Sequence, residues 1–366
     1  MSIVSAACLA ACSEGSSSGP GALSQGHAAS DDLSPSQDPP GGLDPADVPM
    51  FVSIGCDDNM ESEGVEWLTS FAQQRNPAGS GQTATYDGAA LSFTFYHTSK
   101  YVGLAGESWL AAYAAGHEVG NHTESHSTSS ETTADDWRWE MQECDSEISK
   151  LGIPDDEIQG FRTPFLGTND EVLTVVQEMG YRYDCSLEEG FQTDHDGTNF
   201  LWPYTLDTGS PGNDLLVEWG TKSTIGSHPG LWEMPVYALI VPPDDRCAEY
   251  GIEPGFRARL QAVQSYFDVE GGKITGFDYN LIDPSVFAMS GEEFAAVLKH
   301  SFDLRLEGNR APFMLGAHAT NYVADKEEYR DALTSFIDHV LDHPDVRVVS
   351  ISRILDWLKD PVAVSR

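Results

Sequence analysis

Residues 48–58 read Val-Pro-Met-Phe-Val-Ser-Ile-Gly-Cys-Asp-Asp. An apolar run closed by two acids predicts a buried strand over Val48–Cys56 that delivers Asp57 and Asp58 at its end. Neighbouring strand residues point to opposite faces, so one carboxyl can bind a metal while the other acts as a base. Asp-Asp also occurs at 31, 135, 155 and 244. Only the pair at 57 closes an apolar strand instead of opening a helix or sitting in a loop. A plain turn or helix cap is the competing reading of the dipeptide.

Outward from this strand the pattern alternates. Val65, Leu68, Phe71 and Ala72 mark one face of a helix over Val65–Gln73, and a strand follows over Ala90–Tyr96. A helix over Gly106–Ala115, a strand over His117–Asn121 and a long helix over Thr133–Leu151 come next. Ile158–Arg162, Asn169–Met179 and Tyr181–Asp184 repeat strand, helix, strand. Residues 187–285 are less regular and hold many Gly, Pro and Trp. Alternation resumes with a helix face at Phe294, Val297, Leu298 and Phe302, a strand over Pro312–Ala317 and a helix over Lys326–Leu341. A strand over Val346–Ile351 and a helix over Ser352–Leu358 complete it. Such alternation predicts an α/β fold of parallel strands with crossover helices, a single domain over residues 47–366 with a long irregular insertion.

Composition narrows the partners. Hydrophobic residues make up 40 % of the chain, enough for a sizeable core and against disorder of the whole. The formal net charge is −38, which repels phosphate backbones and argues against nucleic acid or a polybasic membrane anchor. A neutral glycan carries no such penalty. Adaptation to a salty habitat explains the charge equally well.

Residues 1–12 read as an export address. An apolar run over residues 3–11 leads to Cys12, and Leu9-Ala10-Ala11-Cys12 resembles a bacterial lipobox, in which the Cys is lipidated. A chance Ala- and Cys-rich start is the alternative. Residues 13–46, rich in Gly, Ser, Pro and Asp, lack apolar surface to offset chain entropy and are expected to be a disordered tether. Together these predict an exported protein, a cell-envelope lipoprotein or a secreted one. Cys56, Cys144, Cys185 and Cys247 then allow up to two bridges in any of three connectivities, or none.

In barrels of this class the loops at the carboxyl ends of strands carry function. His122-Thr-Glu-Ser-His126 has the i, i+4 spacing that sets two imidazoles on one helical face and suits Zn²⁺. His339 and His343 share that spacing at the end of an amphipathic helix, before Pro344. There a helix C-terminus accounts for the histidines, since no nearby strand end places a carboxylate. His122 and His126 gain weight by following a strand. Arg162, at the end of Ile158–Arg162, can hold a carboxylate ionised, and His318 ends the Pro312–Ala317 strand. Alone, each of these two is more often structural.

Taken in order, these segments resemble the polysaccharide deacetylase family (carbohydrate esterase family 4). That family carries Thr-Phe-Asp-Asp, His-Ser/Thr-x-x-His, Arg-x-Pro-Tyr, an Asp-containing block and Leu-x-His. Thr133-Ala-Asp-Asp-Trp137 with Glu140-Met141, Leu201–Leu206, Trp232-Glu-Met234 and Asn309-Arg-Ala-Pro312 are similar to its chitin-deacetylase-like branch. The resemblance covers most of residues 48–360. It implies a distorted (β/α) barrel and a divalent metal, zinc by type. It implies Asp57 as general base, Asp58, His122 and His126 as metal ligands, and Arg162 as the group that orients the base. Asp184 matches the fourth block and His318 the general acid, although two residues separate Leu315 from His318 where the family has one. Gly55-Cys56 replaces Thr-Phe, which alters packing and removes no ligand. Phe165 replaces the Tyr whose backbone N–H meets the oxyanion. Trp109, Trp202, Tyr204 and Trp232 either stack on sugar faces or pack the core. The activity implied is metal-dependent N-deacetylation of N-acetylglucosamine-containing glycans, chitin-like or peptidoglycan. An O-deacetylase on acetylated polysaccharide and an inactive glycan-binding protein are the alternatives.

Overall fold

The computed structural model describes residues 32–128, 132–213, 215 and 224–365. Its strands are β1 (Met50–Asp57), β2 (Thr94–His97), β3 (Glu118–Asn121), β4 (Ile158–Phe161) and β5 (Tyr183–Asp184). Next come β6 (Glu188–Glu189), β7 (Tyr204–Thr205), β8 (Trp232–Glu233) and β9 (Val236–Ile240). The last are β10 (Lys273–Thr275), β11 (Phe313–His318) and β12 (Val346–Val348). β1 is buried along its whole length, as an unbroken apolar strand covered on both faces must be.

The main sheet runs β11-β1-β2-β3-β4-β5-β8-β7, with β12 pairing the first residues of β1. All its pairings are parallel except β7 with β8. A smaller sheet, β10-β9-β6, continues from it, and Phe277 bridges back to Gly316 of β11. The strands therefore curl into a distorted barrel, the fold that the family resemblance implies. The irregular stretch after residue 187 contributes β6 to β10; β9 is a five-residue apolar run that the sequence reading missed, and the others are too brief to leave a periodic signal.

Crossover helices cover the outside. Thr133 and Asp136 form a capping box at the start of Ala134–Lys150, and Ser290 and Glu293 do the same for Gly291–Glu307. No helix among the described residues is long and apolar enough to cross a membrane.

The proposed lipobox and the tether up to residue 31 lie outside the described residues. From residue 32 onward the expectation of a loose tether needs correction. The Leu33 N–H donates to Thr205 Oγ1 (2.9 Å), the Trp202 N–H donates to the Ser36 carbonyl (2.8 Å), and Asn309 Nδ2 donates to the Gln37 carbonyl (2.6 Å). Backbone bonds and the packed Leu33 and Leu43 hold a segment poor in apolar side chains. Cys56, Cys144, Cys185 and Cys247 are all buried and free, so they form no bridge.

The barrel interior is filled by large side chains set against glycines. A Cβ on Gly160 of β4 would lie 2.2 Å from the Tyr183 ring and hydroxyl of β5. That hydroxyl bonds both Tyr96 and Glu118, so the ring has no freedom to yield. Gly160→Ala is expected to lower the unfolding free energy by roughly 1–3 kcal/mol. Gly103, in the helix Val102–Ala114 with open space around it, should gain up to about 1 kcal/mol on the same change. Urea unfolding of the two variants checks the contrast.

Candidate active site

β1 ends in a tight turn. Asp58 (φ 62°) and Asn59 (φ 55°) both take the left-handed conformation, which Asp and Asn tolerate better than most residues. The Asn59 amide secures it by donating to the Cys56 and Tyr96 carbonyls, each at 2.9 Å. Trp109, fully buried, donates from Nε1 to the Asn59 carbonyl (2.8 Å). The turn separates the two acids. Asp57 is directed at Arg162, with Oδ1 2.7 Å from Nη1. Asp58 faces the histidines, with Oδ1 3.5 Å from His126 Nε2 and 3.2 Å from the Thr98 hydroxyl.

Residues 122–128 form a loop and no helix. Thr123 (φ 70°) and His126 (φ 60°) are left-handed, which corrects the helical-face reading of His122-Thr-Glu-Ser-His126. Side chains fold this loop back: the Thr123 N–H donates to Asn121 Oδ1 and the His126 N–H to Thr123 Oγ1. Buried Glu140, on Ala134–Lys150, accepts from the Ser125 N–H (2.7 Å) and the Ser127 hydroxyl (2.8 Å). His122 Nδ1 lies 2.7 Å from the Arg162 carbonyl. That carbonyl can only accept, so Nδ1 carries the proton and the Nε2 lone pair is left for a ligand.

One donor atom each from Asp58, His122 and His126 lies within 4.8 Å of the others. One carboxylate oxygen and two imidazole nitrogens are a donor set suited to a divalent cation of the zinc type. The protonation states agree. Burial, then the neighbouring His122 imidazole, pushes His126 down to about 4, leaving it neutral. Burial would raise Asp58, but His122, His126, His318 and the Thr98 hydroxyl together hold it below its ordinary value.

Arg162 is buried among β1, β4 and β5. It donates to Asp57, to the Gly55 carbonyl (3.3 Å), to the Cys185 carbonyl (2.9 Å) and to Cys185 Sγ (2.9 Å). Its guanidinium lies over the Tyr96 and Phe277 rings. A Cβ on Gly55 would sit 2.9 Å from both terminal nitrogens. The Gly-Cys before the acids thus makes room for this cation.

His318 ends β11 directly opposite Asp57 in the parallel register. Its Nδ1 lies 2.8 Å from Asp278 Oδ1, and its backbone N–H donates to Asp278 Oδ2 (2.8 Å). Asn321 Nδ2 also donates to that second oxygen (2.9 Å). Burial alone would lower the imidazole. The fully buried Asp278 carboxylate outweighs it, and His318 is raised to about 9.

The carboxylate beside His318 is thus Asp278 and not Asp184. Asp184 lies at the end of β5, fully buried, and accepts from the Ser186 hydroxyl (2.7 Å), away from His318. It is paired in register with Glu233 of β8. Burial pushes Asp184 up to about 6, and burial with the charge of Asp184 raises Glu233 further. Asp278 follows the short strand β10 inside the irregular stretch. Its one signal was the Ile274-Thr-Gly-Phe-Asp278 sequence, an acid soon after a brief β-branched run.

A cavity of about 250 Å³ is lined by Asp57, Asp58, His122, His126, Phe165, Leu166, Phe277, Tyr279 and His318. Phe165 is 66 % exposed and packs its ring edge-on to His126 at 4.4 Å. Tyr279, which the sequence reading missed, is 40 % exposed and stands 5.5 Å from the His318 ring. Trp202 and Trp232 are buried, Trp202 against Trp357, so neither offers a face to a sugar. Tyr204 is buried too, and bonds Glu189 (2.8 Å).

The chain is similar to known proteins in sequence and in fold. A family model described as polysaccharide deacetylase matches residues 85–183, a span that holds His122, His126 and Arg162. The chain is 27 % identical over 340 residues to chitin deacetylase 1 of Bombyx mori, covering 89 % of this chain and 54 % of that protein. It thus spans about half the length of that relative. It is 24 % identical over 341 residues to chitin deacetylase 8 of the same species, covering 89 % and 75 %. A solved structure from Mycobacterium smegmatis, assigned by name to the polysaccharide deacetylases, superposes with a TM-score of 0.52. It is 18 % identical and covers 92 % of this chain and 99 % of that one, a likeness of fold.

In metal-free protein, His318 should titrate near pH 9 by NMR. Asp278→Asn removes the carboxylate that raises it, so the midpoint should fall to the ordinary histidine value of about 6.5 or lower. Because the folded value is raised, the pair stabilises the fold fully below about pH 6.5 and loses that contribution as pH rises through about 9.

Proposed function

We propose that this chain, which belongs to the polysaccharide deacetylase family, is a divalent-metal-dependent hydrolase that removes N-acetyl groups from N-acetylglucosamine-containing glycans. The observation that carries the reading is the cavity itself. It joins an Asp/His/His donor set to an acid paired with a guanidinium and, in register across from it, an imidazole held protonated. A space of about 250 Å³ has room for the acetamido arm of a sugar residue beside these groups. The net charge of −38 suits a neutral glycan.

Asp58, His122 and His126 would hold the cation. When bound there, a zinc-type ion polarises a carbonyl oxygen and lowers the pKa of water towards ~7. Asp57 accepts the proton of the attacking water as the base. Arg162 fixes the orientation of that carboxylate through the 2.7 Å contact of Nη1 with Oδ1. His318, kept protonated by Asp278, gives its proton to the amine nitrogen as the carbon–nitrogen bond breaks. By family resemblance, the Phe165 backbone N–H donates to the carbonyl oxygen as charge develops there, an effect worth about 3 kcal/mol. Export, with a lipid anchor at Cys12, is part of the same proposal, since an enzyme of this kind meets its polymer outside the cell.

Acetate release from chitooligosaccharides, peptidoglycan and acetylxylan, with zinc and with a chelator, tests the reading. Chelator-sensitive release from an N-acetylated glycan is expected. Release from acetylxylan alone would reassign the reaction to ester hydrolysis, and none from any zinc-loaded sample would favour a binding role. Asp57→Asn should retain zinc and lose turnover by at least ~10²-fold, and His318→Ala should lose roughly 10²–10⁴-fold. Activity should fall as pH rises through the His318 pKa, and Asp278→Asn should move that fall to lower pH.

A further inference from the structure

His339 and His343 read in the sequence as a helix end without a carboxylate. The fold supplies one. The helices Gly291–Glu307 and Glu327–Leu341 pack side by side, and Asp303 of the first meets His339 of the second, Oδ1 to Nε2, at 2.7 Å. One donor atom each from Asp303, His339 and His343 lies within 4.8 Å of the others, the spacing criterion that Asp58, His122 and His126 also meet.

We propose that Asp303, His339 and His343 form a second divalent-cation site, structural in purpose, that clips these two helices together. The groups around the cluster orient its donors. The Tyr250 hydroxyl donates to Asp303 Oδ2 (2.9 Å), which leaves Oδ1 turned towards His339. Phe302 touches both imidazole rings, at 5.9 Å from His339 and 5.7 Å from His343, and limits their rotation. The His339 and Asp303 side chains are 30 % and 20 % exposed, open enough for an ion to enter and dry enough to hold it. Two imidazoles and one carboxylate favour zinc and its late first-row neighbours over calcium or magnesium. Without the ion, Asp303 and His339 are joined by a hydrogen bond.

Its place in the barrel fits a stabilising role. Glu327–Leu341 leads through His343 into β12, and Gly291–Glu307 leads into β11. Both strands flank β1. The cluster thus sits at the end where strands begin, opposite the cavity, and in such barrels that end serves stability.

Bound zinc is counted by equilibrium dialysis and elemental analysis in the full chain and in His126→Gln, His343→Gln and the double variant. Circular dichroism confirms that each is folded, and Asp58→Asn replaces His126→Gln if that variant is not. The expected equivalents are two, one, one and none. The zinc-induced rise in melting temperature should persist in His126→Gln and vanish in the double variant, while His343→Gln leaves acetate release unchanged. Equal zinc in His126→Gln and the double variant, or a full-chain count that His343→Gln leaves unchanged, would overturn the proposal.

Discussion

A buried guanidinium organises this molecule. Arg162 is 2 % exposed, and its charge is stable there only because every direction it faces supplies a partner. Asp57 neutralises it, two carbonyls and a thiol accept from it, and Tyr96 and Phe277 present their ring faces. Removing one partner of such a pair leaves an uncompensated charge and costs about 3–5 kcal/mol in comparable cases. The same contacts couple three strands to the site. The Arg162 side chain fixes Asp57, and its backbone carbonyl fixes the His122 ring. One residue therefore sets the orientation of both a candidate base and a candidate ligand.

The proton states in the cavity follow from what surrounds each group. His126 lies where burial and a second imidazole disfavour a charge, and it is neutral. His318, a few residues of sheet away, is held against Asp278 and is cationic. Two histidines lining one cavity thus shift in opposite directions: burial and His122 outweigh Asp58 at His126, while the bonded Asp278 outweighs burial at His318. This division permits a lone pair and an acidic proton to coexist in a cavity of about 250 Å³.

Most of the barrel was legible because β1 and β11 are apolar runs and short strands alternate with helices between them. β1, its two acids and His318 could all be placed from strand ends. What stayed hidden has a common physical cause. Asp278 follows a strand of three residues, too short for a period, and only the closed barrel brings it to His318. Asp184 also ends a strand, but its register partner is Glu233, from the irregular stretch. His122 and His126 were found by spacing, although side-chain hydrogen bonds in a loop, and no helix, bring them together. Trp202 and Trp232 look like sugar platforms in sequence, yet aromatic size serves the core equally well. Leu33 to Leu43 lacked the composition of a packed segment and is held instead by hydrogen bonds to distant loops.

The most direct test is crystallographic, with zinc located by anomalous scattering at its absorption edge. The account predicts an ion in the cavity held by Asp58, His122 and His126, with Asp57 left on Arg162 and His318 on Asp278. A cavity without an ion at saturating zinc, or an ion that draws Asp57 away from Arg162 as a ligand, would contradict it.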